Sequence, residues 1–509
     1  MEQALDSFIE GLRILTDPSV ILMLFLGGLW GLFVGVVPGL GAATGIGVMV
    51  SLTYKMEPVT AVVFLVAISV ANSFGNGLPA AVFGIAGGPA GILTAIEGAA
   101  LTKRGQGALA VATNWFACVF GQFISIPLFL LLIVPLSGLA WVFLSPEMFA
   151  LYFLGMAALV GLTGKNVVKS VISVGIGLTI GIIGPDPVSA VFRYDFLPQL
   201  RSGISPTAAV LGLVVLSELL RDMRQVFSWE GMSPANKSLA LTFPGFRKLR
   251  RNTRPMITGS LIGTLLGSIP GLSGTAASIL AYNQAKMTSK HPEEFGRGST
   301  EGLAANEAAG NASQAGEMVP TLALGIPGSD TMVLLLGALM LQGFVPGPRL
   351  MTDAPELLHA TAAGLIGTAV LLLFLGWSAG KFVLHFTRLD RQVVLPLAFA
   401  LTLIGVYVSR RSGYDVIVAL VFGVVGYFMI RYGYSVLAAS VAMVLGAGFE
   451  MELRTGLLLM RNDPIRFISR PWTAVLLGLG VLLIAYGVRV TVAERRSSRV
   501  GEPKVQSKF

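Results

Sequence analysis

Apolar positions gather along this chain in long runs with few charges between them. Val20 to Val37 carries no charged residue, and neither does Gly105 to Pro146. One bilayer crossing takes about 20 mostly apolar residues, so the second run is long enough for a crossing, a turn and part of another. Largely apolar segments fall near 19–37, 58–71, 78–96, 107–136, 148–163, 170–184, 207–220, 256–283, 318–345, 359–386, 393–409, 416–430, 434–449 and 473–488. Some are too short to cross alone, and others can cross and fold back. The pattern predicts an all-α, polytopic integral membrane protein of about 10–13 transmembrane helices with broken or re-entrant segments. Ahead of the first run, Leu5, Phe8, Ile9, Leu12 and Leu15 recur at helical spacing. They predict a short helix lying in the membrane interface.

Composition points the same way. Only 12% of the 509 residues are charged, about half the share of a soluble domain. That leaves too few charges to coat a water-facing surface. The 62 glycines allow close helix packing and tolerated breaks within a membrane. The net charge of +9 reads as basic loops on the cytoplasmic side. The basic residues are not interleaved with aromatics on a polar domain, which excludes nucleic-acid binding. Residues 221–254 carry Arg221, Arg224, Lys237, Arg247, Lys248, Arg250, Arg251 and Arg254 with Pro234 and Pro244, and read as a cytoplasmic loop. The tail 489–509 is also basic. The chain therefore divides into a first transmembrane half, 1–220, the loop 221–254, a second half, 255–488, and the tail. The start, with Glu2, Asp6 and Glu10, lacks the basic opening of a secretory signal. Cys118 is the single cysteine, so neither an intrachain disulfide framework nor a cysteine metal cluster is expected.

The two halves repeat each other. Gly27, Gly31, Gly35 and Gly39, with Pro38, are matched 232 residues later by Gly259, Gly263, Gly267 and Gly271, with Pro270. Pro79 and Gly84 to Gly87 are matched 241 residues later by Pro320 and Gly325 to Gly328. The polar stretch Thr288 to Glu301 accommodates the nine extra residues. Glycines four apart give a helix a smooth face that a neighbouring backbone can approach. The Pro-Gly pair closing each ladder predicts a helix break. Broken backbone at membrane depth must be buried or line a cavity, and two matching breaks point to a binding site. Leu40, Gly41 and Thr44, and Leu272, Ser273 and Thr275, then begin new half-helices. Their free N–H groups suit a carboxylate, and unwound carbonyls with hydroxyls and amides suit a transported sodium ion. Pure packing is the alternative.

Polar residues inside apolar chain are costly and invite a functional reading. Asn72, Ser73 and Asn76 precede Pro79, and Asn306, Glu307, Asn311, Ser313 and Gln314 precede Pro320, in corresponding places. Hydrogen-bonded helix packing is the bland alternative. Glu218, Glu317 and Asp330 are further acidic candidates, as relays or as loop residues; Asp186, in a Gly-Pro-Asp-Pro string, reads as a turn. Enzyme motifs fail. Gly39 to Thr44 lacks the third glycine of a dinucleotide fingerprint, and Gly164-Lys165-Asn166 lacks the rest of a phosphate loop. Gly376-Trp377-Ser378-Ala379-Gly380 fits a nucleophile elbow only in letters, because it lies in an apolar helical run. No catalytic residue, resident metal or cofactor is expected.

These strings resemble the large membrane subunit of the tripartite tricarboxylate transporters. The resemblance is carried by Gly35 to Gly41, by Glu97-Gly98 with Lys103 to Gly107, and by Ile183 to Val188. It continues with Phe295 to Gly298 through Glu301-Gly302, with Glu307 and Asn311, with Val319 to Leu322 through Gly325 to Gly328, and with Gly343 to Pro348. It implies a multi-pass protein of the bacterial inner membrane that imports a carboxylate. The driving force would be a sodium or proton gradient, without ATP. The partners implied are a small membrane subunit of about four spans and a periplasmic solute-binding protein. Ala86, Asn306 and the Asn72 to Asn76 string depart from the family's usual Pro, Pro and Tyr with paired glycines. The expected substrate and ion site comprises Pro38, Gly39, Leu40, Gly41, Thr44, Asn72, Asn76, Pro270, Gly271, Leu272, Ser273, Thr275, Glu307, Asn311, Gly325, Pro327, Gly328 and Ser329. A stand-alone ion-coupled organic-anion transporter, without a binding protein, is the alternative reading.

Overall fold

The computed structural model describes residues 2–37, 40–84, 91–138, 143–163, 166–186, 191–194, 196–226, 242–270, 272, 274–344, 347, 350–386 and 391–499. Pro38, Gly39, Ala86, Gly271 and Ser273 lie outside them. Almost all of the described chain is helix. The first stretch holds α1 (Glu2–Ile14), α2 (Pro18–Val36), α3 (Ala42–Thr53), α4 (Pro58–Phe83), α5 (Ile92–Lys103) and α6 (Gly107–Gly138). Next come α7 (Ser145–Ala158), α8 (Val167–Gly181) and a short hairpin pairing β1 (Gly184–Pro185) with β2 (Phe192–Arg193). The middle holds α9 (Pro206–Val210), α10 (Ser217–Val226), α11 (Phe246–Arg250), α12 (Thr253–Gly267), α13 (Gly274–Thr288), α14 (Thr300–Leu324) and α15 (Asp330–Leu341). It continues through α16 (Leu350–Asp353), α17 (Glu356–Phe386), α18 (Arg391–Arg410) and α19 (Gly413–Arg431). The chain ends in α20 (Val436–Leu459), α21 (Pro464–Ile468) and α22 (Pro471–Arg499). Among the described residues, seven helices are long and apolar enough to cross a membrane, and five shorter apolar helices accompany them.

The chain forms two compact units, and each joins two separated stretches of the sequence. The first comprises Met1–Val142 and Ser205–Tyr427; the second comprises Phe143–Ile204 and Phe428–Phe509. In the second unit, α8 lies on α20 where Gly177 and Gly181 meet the carbonyls of Ala439 and Met443. Its hairpin is held to α20 by charge. Arg193 bonds Asp186 and Glu450, and Arg454 reaches the same two carboxylates at 2.7 Å each. Asp186 is therefore a clamped hairpin residue, mostly buried.

In the first unit the glycine ladders do what their spacing predicts. A Cβ on Gly27 would lie 2.6 Å from the Phe64 carbonyl oxygen, and one on Gly35 2.5 Å from that of Asn72. In the second half, a Cβ on Gly259 would lie 2.6 Å from the Ala305 oxygen, and one on Gly267 2.7 Å from that of Ser313. Thus α2 crosses α4 as α12 crosses α14, with partners 241 residues apart. Both ladders end in a break, α2 at Val36 with α3 starting at Ala42, and α12 at Gly267 with α13 starting at Gly274. Helices α4 and α14 also end alike, on left-handed Gly84 (φ 69°) and Gly325 (φ 71°), a conformation that favours glycine.

The structure differs from the sequence segmentation in one informative way. Both polar clusters lie within single helices, α4 and α14, which run on through Pro79 and Pro320. A helix satisfies its own backbone, so its polar side chains need only an interior to face. Helix α1 forms as expected. It turns Gly11 onto α17 and leaves Leu5, Ile9 and Leu12 exposed, as a helix in the membrane interface would. Gly376 sits inside α17 against the Trp115 ring, so the elbow-like string is helix packing.

Candidate functional site

Where α4 meets α14, their amides wall a cavity of about 160 Å³. Asn72 and Asn76 enter from α4, and Asn306, Glu307, Asn311 and Gln314 from α14. Ala42, the first residue of the half-helix α3, completes one side. No side chain hydrogen-bonds the start of α3; Glu218 Oε2 lies 4.0 Å from where a Cβ on Gly41 would sit, and the positive end of the helix dipole adjoins the cavity through Ala42. None of the lining residues is Lys, Arg or His. The space equals that of about five waters.

Glu307 is the one carboxylate on the wall. It is buried and held by neighbours from distant parts of the chain. Thr94 of α5 donates to one oxygen, and the Cys118 thiol of α6 donates to the other at 3.2 Å. The Asn306 amide donates to Thr94 at 2.8 Å, and the Asn311 amide to the Cys118 sulfur at 2.8 Å. A side chain on Gly77 would run into Asn114 and reach within 2.9 Å of Glu307. On the other wall the Asn76 amide donates to Asn72 Oδ1 at 2.9 Å, and Ser69 donates to Gln314 at 2.6 Å. On the cavity wall Asn72 Nδ2, Asn76 Oδ1 and Asn311 Oδ1 are buried without a hydrogen-bond partner. Buried polar atoms left unpaired in a cavity are matched to a ligand that has both acceptors and donors.

The expected site residues fall into two groups. Asn72, Asn76, Glu307 and Asn311 share the cavity, with Gly41 capping the adjoining α3. Leu40 and Thr44 are buried beside that start, Leu40 in a turn bonded to Val37. The second-half residues gather elsewhere in the unit, around Glu317. One Glu317 oxygen accepts the Gly274 N–H at the start of α13, at 3.2 Å, and the other accepts the Ser329 hydroxyl at 2.6 Å. Gly328 adjoins Glu317, and Thr275 follows Gly274 in the first turn of α13. Pro270 and Leu272 lie in the connection between α12 and α13, and Gly325 ends α14 ahead of Pro327. Glu317 is thus a buried mid-helix residue, and Asp330 opens α15.

Thr94, Cys118 and Ser278, which lines the cavity and bonds the Asn306 carbonyl at 3.2 Å, were not legible as site residues. Each is a single ordinary residue in an apolar helix, brought to Glu307 or Asn306 only by the fold. Glu97 explains another pair of strings. Buried in α5, it accepts Tyr282 Oη and Gly296 N–H at 2.5 Å each, and the Gly298 and Ser299 N–H groups at 2.7 Å each. The Glu97-Gly98 and Phe295 to Gly298 strings are two sides of one clasp.

Helices of spanning length and a polar cavity beside a helix break are features of membrane transport proteins. The chain matches the Tripartite tricarboxylate transporter TctA family over residues 21–441, and it belongs to that family. It is 30% identical over 488 residues, 96% of each chain, to an "Uncharacterized 52.8 kDa protein in TAR-I ttuC' 3'region" of Agrobacterium vitis. It is 34% identical over 235 residues to an "Uncharacterized protein in TAR-II ttuC' 3'region" of the same organism, covering 46% of this chain and 97% of that one. No solved structure matches it.

Proposed function

We propose that this chain is the large, translocating subunit of a binding-protein-dependent secondary transporter that imports an organic-acid carboxylate. It works as a carrier and performs no catalysis. The observation that carries the reading is the uncapped start of α3 facing an amide-walled cavity whose polar atoms are partly unpaired. The helix end attracts an anion, and the amides supply donors and acceptors for carboxylate and hydroxyl groups. With Glu307 on the wall and no cationic side chain, an anion enters more readily when a cation enters with it. Coupling to sodium or protons follows from that. Family membership supports a small membrane subunit of about four spans, a periplasmic solute-binding protein and a bacterial inner-membrane location.

Gentle purification of the tagged chain from its host, with mass spectrometry of its companions, tests the assembly. A stoichiometric small membrane protein is the expected result. A chain that stays alone under several mild conditions, yet takes up carboxylates in vesicles, replaces this reading with the stand-alone carrier.

A further inference from the structure

The two helix breaks are related by the repeat, yet they are filled differently. A Cβ on Gly35 would lie 2.5 Å from the Asn72 oxygen and 3.0 Å from the Asn76 nitrogen. A Cβ on Gly267 would lie 2.7 Å from the Ser313 oxygen and 3.3 Å from the Glu317 nitrogen. Asn76 and Glu317 therefore hold the same place, one in α4 beside the break that starts α3, the other in α14 beside the break that starts α13.

In the second half that place holds a carboxylate. Glu317 accepts the first N–H of α13 and the Ser329 hydroxyl, so the helix end already has its anion. In the first half it holds a neutral amide. Asn76 Oδ1 has no partner, and neither does Nδ2 of Asn72, which is fully buried. The start of α3 has no side-chain cap; Glu218 Oε2 comes to 4.0 Å from where a Cβ on Gly41 would sit but neither bonds that start nor lines the cavity, whose wall Ala42, Asn72 and Asn76 share. An amide in place of the carboxylate leaves room and potential for a carboxylate that arrives from outside.

Resting on the carrier reading above, we infer that the substrate carboxylate docks at the start of α3 beside Asn76, in the position that Glu317 occupies at α13. The second break takes no substrate. It is closed by a tethered anion belonging to the chain itself. The substrate path is therefore single, despite the duplicated architecture.

The test uses thermal unfolding and binding of the full detergent-purified chain, with citrate, succinate and acetate as probes. In Asn76→Asp a tethered carboxylate competes for the start of α3. Binding of citrate and succinate is expected to weaken at least tenfold, while the ligand-free protein unfolds no earlier than wild type. Asn76→Ser, which adds no charge, is expected to weaken it less. Adding Glu317→Ala to Asn76→Asp empties the second break while the first is closed. Acetate is then expected to raise the unfolding temperature again, whereas Glu317→Gln in the same background, which fills the space without charge, gains no such response. Wild-type probe binding in Asn76→Asp would overturn the assignment of the first break. A double variant indifferent to acetate would overturn the assignment of the second. If wild type responds to no probe at all, the carrier reading of the cavity falls separately, and the acetate response of the double variant still decides what fills α13.

Discussion

Glu307 is the residue on which the cavity's chemistry turns. Both of its oxygens receive side-chain donors, from Thr94 and Cys118, and its position on the cavity wall leaves it facing a ligand. Replacing it with glutamine keeps the shape and removes the charge. Hydrogen bonds to charged groups contribute about 1.5–3 kcal/mol, which converts to roughly ten- to a hundredfold in rate or affinity. Glu307→Gln is expected to reduce uptake by that factor while insertion and unfolding temperature stay near wild type; an unchanged rate with unchanged ion dependence would remove Glu307 from the site. Cys118 acts through it. Cys118→Ser keeps a donor to Glu307 and is expected to transport, whereas Cys118→Val removes the thiol donor to that oxygen and leaves the Asn311 amide only the Glu307 carbonyl, and is expected to lose most uptake. Uptake by the valine variant at the serine variant's rate would make the thiol incidental. The sequence showed the amides and Glu307 because polar residues stand out in apolar chain. It did not show Cys118 or Thr94, which look ordinary until α5 and α6 are laid against α14.

The glycine ladders were readable because a spacing of four is a property of one helix, requiring no partner to be known. Their partners were not readable. The carbonyl of Ile68 meets Gly31, and that of Ala309 meets Gly263, at distances where no Cβ fits. Overpacking such a crossing costs about 1–3 kcal/mol. Gly31→Val and Gly263→Val are expected to lower folded yield and unfolding temperature to similar extents, since the two crossings are the same crossing repeated. A harmless substitution at both would mean that the helices can slide apart, which the paired contacts at 27, 35, 259 and 267 oppose. The breaks after the ladders were readable from Pro-Gly. That α4 and α14 continue through their own prolines was not, because each polar cluster interrupts the apolar run and so divides one helix into two segments when only the linear pattern is in view. Glu97 gives a second test at this scale. It gathers three N–H groups from the loop before α14 and the Tyr282 phenol of α13, and a glutamine amide, with one oxygen to accept, cannot serve all four. Glu97→Gln is expected to lower the unfolding temperature measurably, each orphaned donor costing about 1–3 kcal/mol. An unshifted melt would show that the loop is held by other contacts.

At the scale of the whole molecule, the linear halves and the compact units are different divisions of the chain. Each unit takes part of its helices from before the basic loop and part from after it, an interleaving that sequence similarity between halves cannot reveal. The first unit carries a polar cavity, and α22 in the second is a long apolar helix whose spanning window is only 11% buried within the chain. Transport through such a body needs an energy source. The chain has no complete phosphate-binding loop; Gly164-Lys165-Asn166 lacks the preceding glycine and the following Ser or Thr. On the proposed carrier reading a cation accompanies the anion, because Glu307 lines the cavity and no basic side chain does. In vesicles carrying the assembled transporter, collapsing the sodium and proton gradients with ionophores is expected to reduce carboxylate uptake more than tenfold. Depleting ATP while the gradients are clamped is expected to leave it unchanged. Restoring one gradient at a time then identifies the coupling ion. Uptake that survives the loss of both gradients but stops with ATP would mean that the energy enters through another subunit, and the cavity would have to admit its anion uncompensated.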